Sequence, residues 1–308
     1  MIIQTGLRTD IPAFYAEWLV NRLDAGFVCV RNPYHPRSVT RYRLSPEVVD
    51  AIGFCTKNPA PMLPYLNRLA PYGQFWYVTV TPYGPDIEPY VPDKAQVLES
   101  VRRLALAVGP DAVGWRYDPI FLSETYTVER HLAAFEDMAA FLEGSTRICV
   151  ISFIDLYQKV RRNFPEAREV PAKQRLLLGR EMARIARKHG MRLKACAEGK
   201  ELEQFGVDCT GCMTVEVYEA ALGKKLNAPR HRPARSQCGC LLASDIGQYD
   251  TCGHLCRYCY ANASAEAVRK NRALHDPRSP FLVGGARPDD QVHDAVQKKW
   301  ADEQISLF

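Results

Sequence analysis

Short apolar runs alternate with segments of helical periodicity through most of the first two-thirds of this chain, and that alternation restricts its fold more than any other feature. Strand-like runs occupy 2–5, 26–30, 51–55, 74–80, 112–116, 147–153 and 192–197. Helical patterns occupy 11–23, 46–50, 61–69, 94–108, 128–142, 172–189 and 201–205. In 94–108 the apolar residues Val97, Val101, Leu104, Ala105 and Val108 recur at helical spacing. Strands separated by helices pair in parallel, so seven or eight such units predict an α/β protein with a TIM-like (β/α) barrel, full or partial. A chain of 308 residues with 47% hydrophobic and 24% charged side chains has the composition of a globular protein, with room for a barrel and a smaller module.

Polar groups follow nearly every strand-like run. They include Arg8 and Asp10, Arg31 and Asn32, Lys57 and Asn58, Thr81, Arg116 and Asp118, Ser152 and Asp155, and Glu198. In a barrel these positions converge at one mouth, where active sites form. Arg8, Arg31, Lys57 and Arg116 would make that mouth cationic and suited to a carboxylate or phosphate. Asp10, Asp118, Asp155 and Glu198 are placed to hold hydroxyls or an amine, although Asp10, Asp118 and Asp155 would also serve as helix caps.

After about residue 205 the alternation stops and Cys, Gly, Pro and Arg become frequent, with an exposed loop expected over 224–237 and a helix over 290–304. This divides the chain into a barrel over 1–204 and a cysteine-rich region over 205–308 packed on its mouth. Eight of the eleven cysteines lie between Cys196 and Cys259. No stretch is long and apolar enough to span a membrane, and the first residues lack the basic and apolar regions of a signal peptide. A cytoplasmic chain is therefore expected, and clustered cysteines in a reducing compartment point to metal rather than disulfides. Cys29, Cys55 and Cys149 lie inside apolar runs and are expected to be packing thiols. The net charge of +5 permits a nucleic-acid or phosphate-bearing partner without demanding one.

Cys252, Cys256 and Cys259 stand at C-x3-C-x2-C spacing, with Tyr258 before the last. Three thiolates can hold three corners of a [4Fe-4S] cubane and leave one iron open for chemistry. The spacing is similar to the cluster motif of radical S-adenosylmethionine (SAM) enzymes. A zinc site can also be drawn from the C-x2-C pairs Cys209/Cys212 and Cys256/Cys259, although Cys252 fits the cubane more directly. Any four of Cys196, Cys209, Cys212, Cys238 and Cys240 could hold a second cluster or a zinc ion. His254, inside the loop, is expected to face solvent.

Further motifs extend over nearly the whole chain. They are Thr9-Asp10-Ile11-Pro12, Val30-Arg31-Asn32-Pro33, Thr56-Lys57-Asn58-Pro59, Trp115-Arg116-Tyr117-Asp118-Pro119, Cys238-Gly239-Cys240, Ser244-Asp245-Ile246-Gly247 and Tyr258-Cys259-Tyr260-Ala261-Asn262. Together they resemble the bacterial family called domain of unknown function 1848. The resemblance implies a relative of radical SAM enzymes in which the barrel precedes the cluster loop. It implies a second ligand set of Cys196, Cys212, Cys238 and Cys240. It also implies SAM as cofactor, with Tyr258, Arg31, Asn58 and Glu198 around it. The chemistry implied is reductive cleavage of SAM to methionine and a 5′-deoxyadenosyl radical, on a small-molecule, nucleotide or nucleic-acid substrate, as in the distantly similar spore photoproduct lyases. An electron donor such as a flavodoxin or ferredoxin would be the partner. Arg8, Asp10, Lys57, Arg116, Asp118 and Asp155 are the expected catalytic residues. Gly284-Gly285 is followed by Ala286, so the Gly-Gly-Glu signature that holds the SAM amine is absent. The alternative is a metal-stabilised binding or electron-transfer protein without radical chemistry.

Overall fold

The computed structural model describes residues 1–229, 240–241 and 244–301. Nine strands occur among them: β1 (Ile2–Gln4), β2 (Phe27–Arg31), β3 (Ser38–Arg43), β4 (Ala51–Thr56), β5 (Gly73–Thr79), β6 (Val113–Ile120), β7 (Ile148–Phe153), β8 (Arg192–Ala195) and β9 (Gln291–Asp294). Six of them form a parallel sheet in the order β1-β4-β5-β6-β7-β8, with helices between successive strands. The expected α/β architecture is present, and among the described residues the six strands form an open row rather than a closed ring.

Both faces of this sheet are buried, which is why its strands read as nearly continuous apolar runs. Alternate residues point to opposite faces. Trp76, Val78, Phe54 and Trp115 pack towards the helices in the main core, where Phe54 stacks on Trp76 at 3.7 Å and Trp115 on Phe135 at 4.7 Å. Phe75, Tyr77, Ile148 and Val150 point the other way, into a second core filled by Met213, Val217 and Tyr218. Gly114 is required there, because a Cβ at that position would overlap the Tyr77 ring. The two long central helices, Lys94–Val108 and Val128–Leu142, begin at Asp93 and Thr127, whose side chains accept hydrogen bonds from the first-turn N–H groups.

The edges of the sheet are covered by the cysteine-rich segments. Gln4 in β1 exchanges backbone hydrogen bonds with Ser244 and Ile246. Lys194 in β8 forms an isolated parallel bridge with Asp208. The two covering segments meet through the Leu241 N–H, which donates to the Met213 carbonyl at 2.8 Å. Irregular backbone thus spans the gap between β8 and β1.

Several expectations are corrected. The 26–30 run forms β2, but it leaves the main sheet and pairs antiparallel with β3, which in turn pairs with β9. The helix expected over 11–23 breaks at Tyr15 into Ile11–Phe14 and Ala16–Ala25. Residues 46–50 form a turn, and 61–69 is mostly 3-10 helix. Residues 291–294 of the expected 290–304 helix are strand β9, because pairing with β3 outweighs local helical preference. Helices Leu66–Leu69, Gln158–Asn163, Ala172–Lys188, Val215–Leu222 and Ala265–Ala273 complete the set of α-helices among the described residues. No helix among the described residues is long and apolar enough to cross a membrane.

Candidate functional site

All six strands of the main sheet end at one cavity of about 290 Å3. Leu7, Lys57, Thr79, Arg116, Ser152 and Cys196 reach it from or just beyond β1, β4, β5, β6, β7 and β8 respectively. The far wall comes from the C-terminal region and includes Cys252, Cys256 and Cys259. Sequence order alone does not reveal this meeting, because strand ends and loop are up to about 250 residues apart.

Asp10 joins the two walls. Its Oδ1 accepts from the Ala13 N–H at 3.0 Å and caps the short helix after β1. Its Oδ2 accepts from the Lys57 N–H at 2.7 Å and lies 3.0 Å from His254 Nε2. His254 Nδ1 faces the Tyr90 carbonyl at 3.1 Å, and Phe14 meets the ring edge-on at 4.6 Å. His254 is only 2% exposed, so the solvent-facing expectation is corrected. Both of its ring nitrogens have acceptors inside the fold, which offsets the cost of burying them.

Glu88 is a functional candidate that motif reading missed. Its carboxylate accepts from Lys57 Nζ at 2.7 Å and Thr81 Oγ1 at 2.7 Å, and also from Lys94 Nζ and the Tyr258 hydroxyl. Burial by itself would raise its pKa. The two lysine charges outweigh that and hold it at about 2. Lys57 in turn sits 5.5 Å over the Tyr258 ring. Burial raises the Cys256 thiol, and the Lys57 charge partly counters this.

Arg116 pairs with Asp118, whose other oxygen accepts from the Ser152 hydroxyl, and it places Nη1 3.3 Å from Cys212 Sγ. The β6–β7 register shifts between Tyr117 and Ile120, so Asp118 lies at an irregularity of the strand. Each expected cation of the mouth already has a carboxylate: Arg8 with Asp245, Arg31 with Asp290, Lys57 with Glu88, and Arg116 with Asp118. The expected cationic mouth is instead a set of ion pairs. Asp155 lines the cavity and accepts from the Tyr157 hydroxyl at 3.0 Å. The Thr9 hydroxyl is buried at the cavity without a hydrogen-bond partner.

The thiols fall into two sets. Cys252, Cys256 and Cys259 are each pushed up by burial, which favours the protonated form. Cys212 Sγ lies 3.5 Å from Cys196 Sγ and 3.4 Å from Cys240 Sγ. Hydrogen bonds from those two thiols, with Arg116 beside it, hold Cys212 well below the usual thiol range. Cys29 and Cys149 are buried packing thiols as expected, but Cys55 lines the cavity, and burial pushes its pKa to about 12. Cys209 is absent from the lining, and Cys238 lies outside the described residues.

Four expected site residues do not line the cavity. Arg8 is turned to Asp245, and Arg31 belongs to the β2–β3–β9 sheet, where it also donates to the Gly285 carbonyl. The Asn58 side chain caps the following turn through the Ala60 N–H. Glu198 accepts from the Phe153 N–H at 2.7 Å behind the cavity wall, and burial raises its pKa to about 7. Tyr258 is at the cavity, but its hydroxyl is engaged by Glu88.

The family model described as domain of unknown function (DUF1848) matches residues 2–261. None of the curated proteins matches. Among solved structures, the FimX EAL domain of Xanthomonas citri in complex with c-diGMP matches at 12% identity and a TM-score of 0.24, over 64% of this chain and 90% of its own.

Proposed function

The chain belongs to the DUF1848 family, and we propose that it is a radical SAM-type enzyme whose reaction site is the cavity at the C-terminal ends of the six-stranded sheet. The observation that carries this reading is the shared cavity. Cys252, Cys256 and Cys259 line it together with Asp10, Lys57, Arg116 and Asp118. The sheet is read as a partial (β/α) barrel, and residues 205–308 as the iron–sulfur region that covers its mouth.

The donor set fits a four-iron cluster. Three soft thiols, with Cys256 buried and Cys252 and Cys259 half-buried, face one cavity. No three His, Cys, Asp or Glu side chains among the described residues surround a single-ion position. A cubane gives each thiolate its own iron, so its ligands need not converge on one point. When bound, such a cluster supplies one electron for reductive cleavage of SAM.

The chain's own residues prepare the site for that chemistry. Glu88 holds the Lys57 ammonium near Cys256, where a positive charge favours a thiolate. Asp10 and His254 fasten the loop that carries the thiols to the end of β1. Arg116 and Asp118 present a fixed cation and carboxylate from β6, and the Thr9 hydroxyl is free to bind a polar ligand. Phe153, Ile154 and Met213 supply apolar wall, which limits the water around a reactive species.

The test is anaerobic reconstitution with iron and sulfide, followed by SAM and dithionite. The expected outcome is 5′-deoxyadenosine from the native chain and none from Cys256→Ala. Native protein that carries iron yet leaves SAM intact would overturn the catalytic reading in favour of a metal-stabilised binding or electron-transfer protein.

A further inference from the structure

The mouth of the cavity carries aromatic rings and cations that the chemistry inside does not use. Tyr157 and Tyr260 line the cavity, yet they are 38% and 43% exposed. Their rings meet at 6.1 Å and 60°, edge to face, so they are not stacked on each other. The Tyr157 hydroxyl donates to Asp155 at 3.0 Å and the Tyr260 hydroxyl to the Leu7 carbonyl at 2.6 Å. These bonds hold both rings at the rim before any ligand arrives. The row continues outward. Tyr249 is close enough to interact electrostatically with Tyr260 and with Tyr34, and Tyr34 is 80% exposed.

The cations of the Gln158–Asn163 helix flank this row. Lys159 Nζ donates to the Ala261 carbonyl at 3.3 Å and sits 4.9 Å over the Tyr249 ring. Arg162 donates to the Ala263 carbonyl at 2.7 Å, and Arg161 to the Leu156 carbonyl at 2.9 Å. These carbonyls adjoin Tyr260 and Tyr157. Among the described residues none of the three cations is ion-paired, whereas Arg8, Lys57 and Arg116 each hold a carboxylate. The rim, not the interior, therefore keeps positive charge for a partner.

We infer that this rim binds single-stranded nucleic acid, with bases stacked along Tyr34, Tyr249, Tyr260 and Tyr157 and phosphates on Lys159, Arg161 and Arg162. Exposed rings beside unpaired cations suit a base and its phosphate together, and stacking tolerates any base because each has a π-face. Charge alone would suit an acidic protein equally well, but an acidic protein gives no role to the row of rings. Four rings also offer more platform than one free nucleotide covers. A cavity of about 290 Å3 does not admit a duplex, so a base reaches it only from an unpaired strand. The inference names the substrate class of the cavity and so rests on that cavity being the reaction site, although strand binding itself needs neither iron nor SAM.

The test is fluorescence anisotropy of a fluorescein-labelled single-stranded DNA 12-mer of mixed sequence, and of the RNA of the same sequence, titrated with the anaerobically purified full chain. At least one strand should bind saturably and more tightly than the corresponding duplex. Tyr34→Ala and Tyr157→Ala should each weaken binding about tenfold. Tyr260→Phe should bind like the native chain, since the ring is kept. Arg161→Gln and Arg162→Gln should each lower the slope of log affinity against log salt by roughly 0.7. Failure of both strands to bind overturns the inference. So does native affinity in both alanine variants, which would leave only charge attraction, and so does competition by adenosine monophosphate as strong as that by the unlabelled strand. Strand binding without 5′-deoxyadenosine formation removes only the radical reading. Formation of 5′-deoxyadenosine by a chain that binds no strand removes only this inference.

Discussion

His254 Nε2 lies 3.0 Å from Asp10 Oδ2, although 244 residues separate them in the chain. This contact fastens the loop bearing Cys252, Cys256 and Cys259 to the first strand end of the sheet. Both partners are nearly excluded from water, at 2% and 5% exposure. The same Asp10 oxygen also receives the Lys57 N–H, so one carboxylate orders three segments.

Replacing Asp10 by Asn should therefore loosen a region far away in sequence. The neutral amide keeps the size of the side chain but weakens the charge-assisted bonds to His254 and to the Lys57 N–H. Amide hydrogen exchange over 251–260 should accelerate about tenfold, equivalent to roughly 1.4 kcal/mol of lost local protection. Unchanged exchange in that segment would show that the contact does not hold the loop.

Glu88 gives a dependence on acid. Its folded pKa of about 2 lies below the ordinary 4.5, so it binds protons more weakly in the fold than in the unfolded chain. The resulting stability is fully present above about pH 4.5 and is lost as pH falls towards 2. The difference corresponds to about 3 kcal/mol. Glu88→Gln should lower stability at neutral pH by roughly 3–5 kcal/mol, because Lys57 and Lys94 lose their shared anion. Denaturant unfolding at several pH values checks both statements. A variant whose stability matches the native chain at pH 7 would refute them.

Gly114→Ala should cost about 1–3 kcal/mol through overpacking against Tyr77, a buried ring that is held by its hydroxyl bond to the Cys212 carbonyl at 2.6 Å. Calorimetry should show the melting temperature falling by several degrees. A melting point equal to that of the native chain would mean that the inner core has slack the geometry does not suggest.

The parts of the fold that could be read from sequence are those whose signal is local. β5, β7 and the Val128–Leu142 helix lie close to where apolar runs and helical period put them. The 26–30 run shows the limit. A short apolar strand carries no label for the sheet it joins, and this one pairs with β3, a strand with only one buried residue among its six. The 290–304 segment is similar, since its polar composition suits an exposed helix as well as the fully exposed edge strand that residues 291–294 become. In the site, Lys57, Arg116, Asp118 and the three loop thiols were recognisable by residue type and position. Glu88 and His254 were not, because nothing near them in the chain announces a partner that is supplied by another segment.

The order of residues alone determined the alternation of strands and helices, the polar groups at the strand ends, and the clustering of cysteines after residue 195, because these follow from periodicity and spacing along one chain. Only the tertiary structure decided that the loop thiols face the strand ends across one cavity, that every expected cation of the mouth carries its own carboxylate, and that three further sulfurs meet on the seam between β8 and β1. Those are distances between segments, and they are set by how the two faces of the sheet are buried.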